Sequence, residues 1–194
     1  MQLLRMFSTE KYKGTKGYLN SQKKYEVIRT VLYFGISLCL FIAGWVTTKT
    51  RLNLLTIVAV LGCLPASKSL VGTIMFLRFH SCPEAVSEEI EEHVGELYGM
   101  YDLVFTSYDK NYQVDHVVVK GNTVCGFAGG VKFDEQGFYK HIDGILKADN
   151  YKDVSVKVFG DIRKYVDRLE QMKELDANEE STEGIAGTLR SVAL

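Results

Sequence analysis

The residues best placed to do chemistry are Asp115 and His116, a carboxylate and an imidazole side by side in the β-branched run 113–119. Such groups hold divalent cations or move protons, and Asp102 and Glu135 are further carboxylates that folding could bring to them. Neighbouring side chains of a strand point to opposite faces, so the two are expected to diverge and not to form a dyad. Glu88, Glu89, Glu91, Glu92 and Glu96 are spread round one helix and read as a solvated face. His93 reads as an imidazole at the edge of a core, and His141 has no nucleophile at a diagnostic spacing. His80 and Cys82 lack the two further spaced ligands of a zinc site, and the four cysteines form no CxxC pair. Gly126, Gly129 and Gly130 precede a helix start at Asp134. They match neither phosphate-loop pattern, and Asp134 and Glu135 would repel a phosphate there. A nucleophile elbow GxSxG and a D-x-D metal motif are both absent.

Charge divides the elements that must position these residues. Residues 1–29 carry seven Lys/Arg against two Asp/Glu, residues 30–79 four against none, and residues 80–194 twelve against twenty-two. The net charges of +5, +4 and −10 exclude a purely soluble chain, because the carboxylate-free middle is apolar for most of its length. Residues 27–48, centred on VLYFGISLCLFIAGWV, have the length of one membrane crossing, with Tyr33 and Trp45 suited to the interfaces. Residues 49–53 form a short external link. Residues 54–79 then give a second span, either as one helix kinked at Pro65 with Lys68 snorkelling, or as a crossing followed by an interfacial helix. The single helix is preferred, since residues 70–79 lack a polar face. Cations concentrate before the first span, at Arg5, Lys11, Lys13, Lys16, Lys23, Lys24 and Arg29, so residues 1–26 are expected in the cytoplasm and two crossings return residues 80–194 to the same side. An apolar run starting this far along, with no small-residue cleavage pattern after it, fits a signal peptide poorly.

The cytoplasmic part, residues 83–175, reads as an α/β domain of the α+β type. Pro83 opens a helix with an apolar stripe at Val86, Ile90, Val94 and Leu97. Runs at 102–108, 113–119 and 123–127 read as strands joined by short turns. Asp134 caps a helix bearing Phe138, Ile142, Ile145 and Leu146, residues 153–159 alternate as a strand, and Asp161 caps a last helix. The order is α-β-β-β-α-β-α on a mixed sheet. Residues 176–194 read as an acidic, mobile tail with at most a short amphipathic turn near its end.

The segment QVDHVVVKGNTVCGFAGG resembles the core of the nuclease-related domain family, a branch of the PD-(D/E)xK restriction-endonuclease-like fold. The resemblance places Asp115 at the family's first acid and Gln136 where its following helix often carries Gln. It places Ala128 and Gly130 where the metal-binding Glu and catalytic Lys should stand. Neither can hold a cation or assist an attacking water, so the resemblance implies a degenerate relative with a vestigial site. A net charge of −10 also opposes a polyanionic backbone, and no nucleic acid is expected as a partner. More loosely, the chain looks like two-span membrane proteins of Gram-positive bacteria. The expectation is therefore a membrane-anchored interaction or scaffold module, with the lipid bilayer and a protein as partners and no cofactor or metal. Two alternatives stand beside it: a metal-dependent enzyme with a rearranged acidic site around Asp115, discriminated by convergence of Asp115, Asp102 and Glu135, and an accessory subunit of a sensor or transport complex, discriminated by a large exposed apolar patch.

Overall fold

The computed structural model describes residues 12–50, 53–130, 133–175 and 178–194, in two compact units: residues 19–80, and residues 12–18 together with 81–194. Arg5, Lys11 and Arg51, among the cations used to orient the chain, lie outside the described residues.

The first unit is a pair of helices, α1 (Tyr18–Thr48) and α2 (Leu54–Leu77), each long and apolar enough to cross a membrane. α1 starts well before residue 27 because YLNSQKKYE contains no Gly or Pro to stop it. At 1.5 Å per residue it extends about 46 Å, more than the roughly 30 Å of hydrocarbon in a bilayer. α2 runs unbroken through Pro65, with Lys68 exposed on it, and Asn53 caps it by accepting from Thr56 N at 2.8 Å. Close approach is built on small residues: a Cβ at Gly62 would lie 2.7 Å from Ser37 Oγ, and one at Gly44 2.9 Å from Leu55 Cβ. A buried polar layer then ties the helices together. Glu26 pairs with Arg29 and accepts from Gln22 Nε2 at 3.2 Å, while Arg29 Nε donates to Ser69 Oγ at 3.2 Å. The Thr30 hydroxyl shares hydrogen bonds of 2.8 Å with both Ser69 and Thr73. Glu26 lies just outside the carboxylate-free segment, which is why a charge count passes over it.

The second unit is of the α+β class: α3 (Glu84–Val94), β1 (Tyr98–Thr106), β2 (Asn111–Lys120), β3 (Thr123–Phe127), α4 (Glu135–Ala148), β4 (Ser155–Phe159), α5 (Ile162–Lys173) and α6 (Glu179–Val192). The sheet is mixed, in the order β1-β2-β3-β4. Its first three strands are antiparallel hairpins and β4 is parallel to β3, so α4 is the crossover that parallel pairing demands. β1 begins at Tyr98, earlier than expected, because Gly95 takes a φ of +55° and ends α3 abruptly. One core packs Val114, Val117 and Val119 against Phe138, Ile142 and Leu146 of α4 and against Ile185 and Leu189 of α6. The other packs Val118, Cys125 and Phe127 against Ile90 of α3 and Tyr165, Leu169 and Met172 of α5.

The expected acidic tail is instead a structural element. Asn178 caps α6 by accepting from Glu180 N at 2.9 Å, and Ile185, Ala186 and Leu189 are fully buried. Gly184, Gly187 and the hydroxyl residues dilute the periodicity of this stretch, and burial of three apolar side chains overrides a weak local preference. Beyond it, Ala193 bridges to Phe105 and Leu194 N donates to Val104 O at 2.9 Å, which covers part of the β1 edge.

Candidate functional site

Register brings the candidate residues together in the middle of the β1/β2 ladder. Tyr101 pairs with His116 and Leu103 with Val114, so Asp102 and Asp115 stand opposite one another between them. Regular alternation slips here in both strands. Met100, Leu103 and Phe105 line one core, as do Val114 and Val117, and Asp102 takes a φ of +56°. This conformation costs most residues dearly but is tolerated by Asp and Asn. The expectation that Asp115 and His116 point to opposite faces is therefore not met: His116 contacts the second core, and Asp115 reaches Gly129 beside the ring of Phe127, also of that core. The slip removes the step of alternation that would have separated them.

Asp102 and Asp115 are 1% and 8% exposed. Burial of a carboxylate is tolerated only with donors, and these are present. Asp102 Oδ1 accepts from Cys82 N at 2.8 Å. Asp115 Oδ1 accepts from Gln113 Nε2 at 3.0 Å and its Oδ2 from Gly129 N at 2.8 Å. Burial first, then the Asp115 and Asp102 charges, push the Cys82 thiol up to about 12, which keeps it protonated and unreactive at neutral pH.

His116 is wholly buried. Its Nδ1 shares a 2.7 Å hydrogen bond with Tyr165 Oη, the Tyr101 ring packs tilted against it with centroids 4.2 Å apart, and Nε2 has no hydrogen-bond partner among the described residues. That nitrogen faces Gly99, where a Cβ would approach to 2.8 Å. Loss of water lowers the imidazole to about 3, so it is neutral at physiological pH. Burial likewise raises Tyr101 and Tyr165, and leaves Cys125 at about 12.

The vestigial-site candidates separate into two groups. Asp115 is joined to the peptide of Gly129, the residue between Ala128 and Gly130, so three of the four meet at the end of β3. Ala128 is buried and Gly130 exposed. Gln136 lies exposed in the first turn of α4 beside Glu135, lining a shallow groove with Val156 and Lys157. Among the described residues no three His, Cys, Asp or Glu side chains gather closely enough to hold a metal ion. Asp102 and Asp115 thus share a ladder position with separate hydrogen-bond partners, and Glu135, in the first turn of α4, does not complete a three-carboxylate group with them.

The remaining groups have local partners. Asp134 caps α4 through Gly137 N at 3.0 Å and pairs with Lys110 at 2.7 Å, so a carboxylate already occupies that helix N-terminus. His93 sits on the surface, 2.9 Å from Glu170, and His141 stacks on Tyr112. A cleft of about 700 Å³ lies between Glu96, Tyr98, Lys120, Lys173, Glu179 and Glu183. Its charges are mixed, and Lys120 is tied to the carbonyl of Lys173 at 2.7 Å. Sequence reasoning passed over Asp102 as a strand-internal acid in a left-handed conformation and Gly99 as the seat of His116. An Asp inside an apolar strand, where β-propensity is low, was the available signal.

No protein-family model, curated protein or solved structure matches the chain.

Proposed function

We propose that the chain is a bacterial inner-membrane protein in which the α1/α2 hairpin anchors a cytoplasmic, non-catalytic interaction or scaffold domain, itself a degenerate relative of the nuclease-related domains. The observation that carries this reading is the bonding of Asp115. Both of its oxygens accept from protein donors, and one donor is the peptide flanked by Ala128 and Gly130, where a working site would carry Glu and Lys. An acceptor so engaged organises the end of β3, and among the described residues no third His, Cys, Asp or Glu side chain joins it to build a cation site. The cations that precede the apolar run of α1, which begins near residue 30, favour a cytoplasmic location for the segments flanking the hairpin. The bilayer and a protein partner at its surface are the ligands this arrangement suits, and the −10 charge disfavours nucleic acid.

The direct test is incubation of the full chain in lipid nanodiscs with duplex DNA and Mg²⁺ or Mn²⁺. Cleavage is expected to be no greater than with Asp115→Asn. The buried juxtaposition of Asp102 and Asp115 favours one second reading, a metal-dependent enzyme with a rearranged acidic site. Metal-dependent hydrolysis abolished by Asp115→Asn establishes that reading and removes the first. Sided labelling of single cysteines introduced at the exposed residues 15 and 109, with the four native cysteines replaced, tests the topology: both are expected to react only from the cytoplasmic face.

A further inference from the structure

Two stretches of the second unit flank the hairpin in sequence, residues 12–17 before α1 and residues 81–83 after α2, and both are held on adjacent residues of β1. Tyr101 N donates to Gly14 O at 2.8 Å, and Cys82 N donates to Asp102 Oδ1 at 2.8 Å. Lys16 adds an ion pair with Glu91 of α3 at 3.2 Å, and Lys13 Nζ donates to Ala193 O at 2.6 Å. On the neighbouring strand, Asp115 holds Gly129 N, the point where the chain leaves β3 toward α4. Hydrogen bonds thus lead from both flanking segments to Tyr101 and Asp102, and from Asp115 to Gly129; between the two sets, Asp102 and Asp115 hold facing ladder positions and both charges act on the Cys82 thiol.

We propose that Asp102 and Asp115 are positioning residues forming a conformational joint, which couples the segments flanking the hairpin to the peptide of Gly129, just past the end of β3. The joint depends on nothing in the scaffold reading. Like charges placed opposite one another in a ladder repel. Here they are buried, so each carboxylate stays in place through its own N–H donors. Loosening the Cys82 bond frees Asp102 to move and its backbone to relax from the left-handed φ of +56°. Asp115 then loses the fixed neighbour against which it is set, and its bond to Gly129 is altered. The same sequence runs in reverse from Gly129. Two independent caps would share neither the slip in both strands nor the opposed carboxylates, and local opening would not pass between them.

The test is hydrogen exchange with mass spectrometry on the full chain in nanodiscs. Asp102→Gly removes the acceptor but keeps a residue suited to positive φ, whereas Asp102→Asn keeps both the acceptor and the conformation. Asp102→Gly is expected to speed exchange about tenfold at Cys82 and also at Gly129 and Gly130, the scale of one lost hydrogen bond to a charged acceptor. Asp102→Asn is expected to stay within about threefold of wild type at both places, less than the loss of a whole bond. Acceleration confined to residues 81–83 overturns the proposal. If Asp102→Gly also loses the protection of α5, and so has unfolded, Asp115→Asn decides. This isosteric change leaves too few acceptors for Gln113 and Gly129 together, and exchange at both Gly129 and Cys82 must rise. A rise at Gly129 alone refutes the joint.

Discussion

Acidification should destabilise the second unit through one group, His116. Its imidazole is buried and neutral, held to about 3 by loss of water, whereas in the unfolded chain it titrates near its ordinary value of about 6.5. The unfolded state therefore takes up a proton that the native state refuses. Stability is at its full value above pH 6.5 and falls as pH drops through the window down to about 3, by about 1.4 kcal/mol per pH unit in its middle. Between pH 7 and pH 5 the loss is about 2 kcal/mol, on the order of 8 °C in the midpoint of a domain this size. The groups packed on the ring do not blur this window. Tyr101 and Tyr165 are shifted upward and Cys125 stands at about 12, so all stay neutral throughout it. Asp134 and Glu170 are shifted downward, by the Lys110 and Lys173 hydrogen bonds respectively, so what they contribute is lost only as pH falls below their ordinary values of 3.8 and 4.5, outside the interval from pH 7 to pH 5. The assay is thermal unfolding of the full chain in detergent micelles at pH 7 and pH 5, followed by tyrosine near-ultraviolet circular dichroism, with His116→Gln alongside. The variant starts less stable but should lose about 2 kcal/mol less than wild type over that interval. Equal losses in the two proteins would refute the reasoning.

Three further outcomes follow from packing and hydrogen bonding. Gly99→Ala sets a methyl carbon 2.8 Å from His116 Nε2, and since that ring is clamped by Tyr165 and Tyr101, a loss of about 1–3 kcal/mol is expected in the same unfolding assay. Leu189→Ala, in the stretch that reads as a tail, should cost about 2–5 kcal/mol because its side chain is buried in the first core; a change below about 0.5 kcal/mol would show α6 to be dispensable. Thr30→Val removes both hydroxyl bonds from α1 to α2 at nearly constant shape, and should weaken the hairpin by about 1 kcal/mol, read as an earlier transition on titration of micelles with dodecyl sulfate.

Much of the fold is legible because its signals are local. Asp134 and Asp161 cap α4 and α5 where short polar side chains precede apolar stripes, and the stripe Phe138, Ile142 and Leu146 is buried as its spacing implies. The two apolar spans are legible by length and the absence of carboxylates. What escapes is non-local. α6 is specified by the surface it covers, and its own apolar content is too low to announce it. The hairpin lock joins Glu26 and Arg29 to Ser69, forty residues beyond Arg29, through groups that look like ordinary interfacial polarity in either helix alone. At the site, Asp115 is visible as an acid in an apolar strand, and its proximity to residues 128–130 follows from the hairpin. The slip that turns Asp115 and His116 to one side depends on Asp102, in the partner strand, taking a left-handed conformation, which no pattern within residues 113–119 encodes.

The measurement that bears most directly on Asp115 as a structural acceptor is a Mn²⁺ titration of the full chain, followed by electron paramagnetic resonance of the free ion, for wild type and Asp115→Asn. No saturable binding is expected in wild type beyond that of the variant, together with a lower unfolding midpoint for the variant, because the Gly129 and Gln113 donors then compete for one acceptor oxygen. Saturable binding in wild type that disappears in Asp115→Asn would contradict the structural role of Asp115, and would make the paired carboxylates of β1 and β2 a metal site.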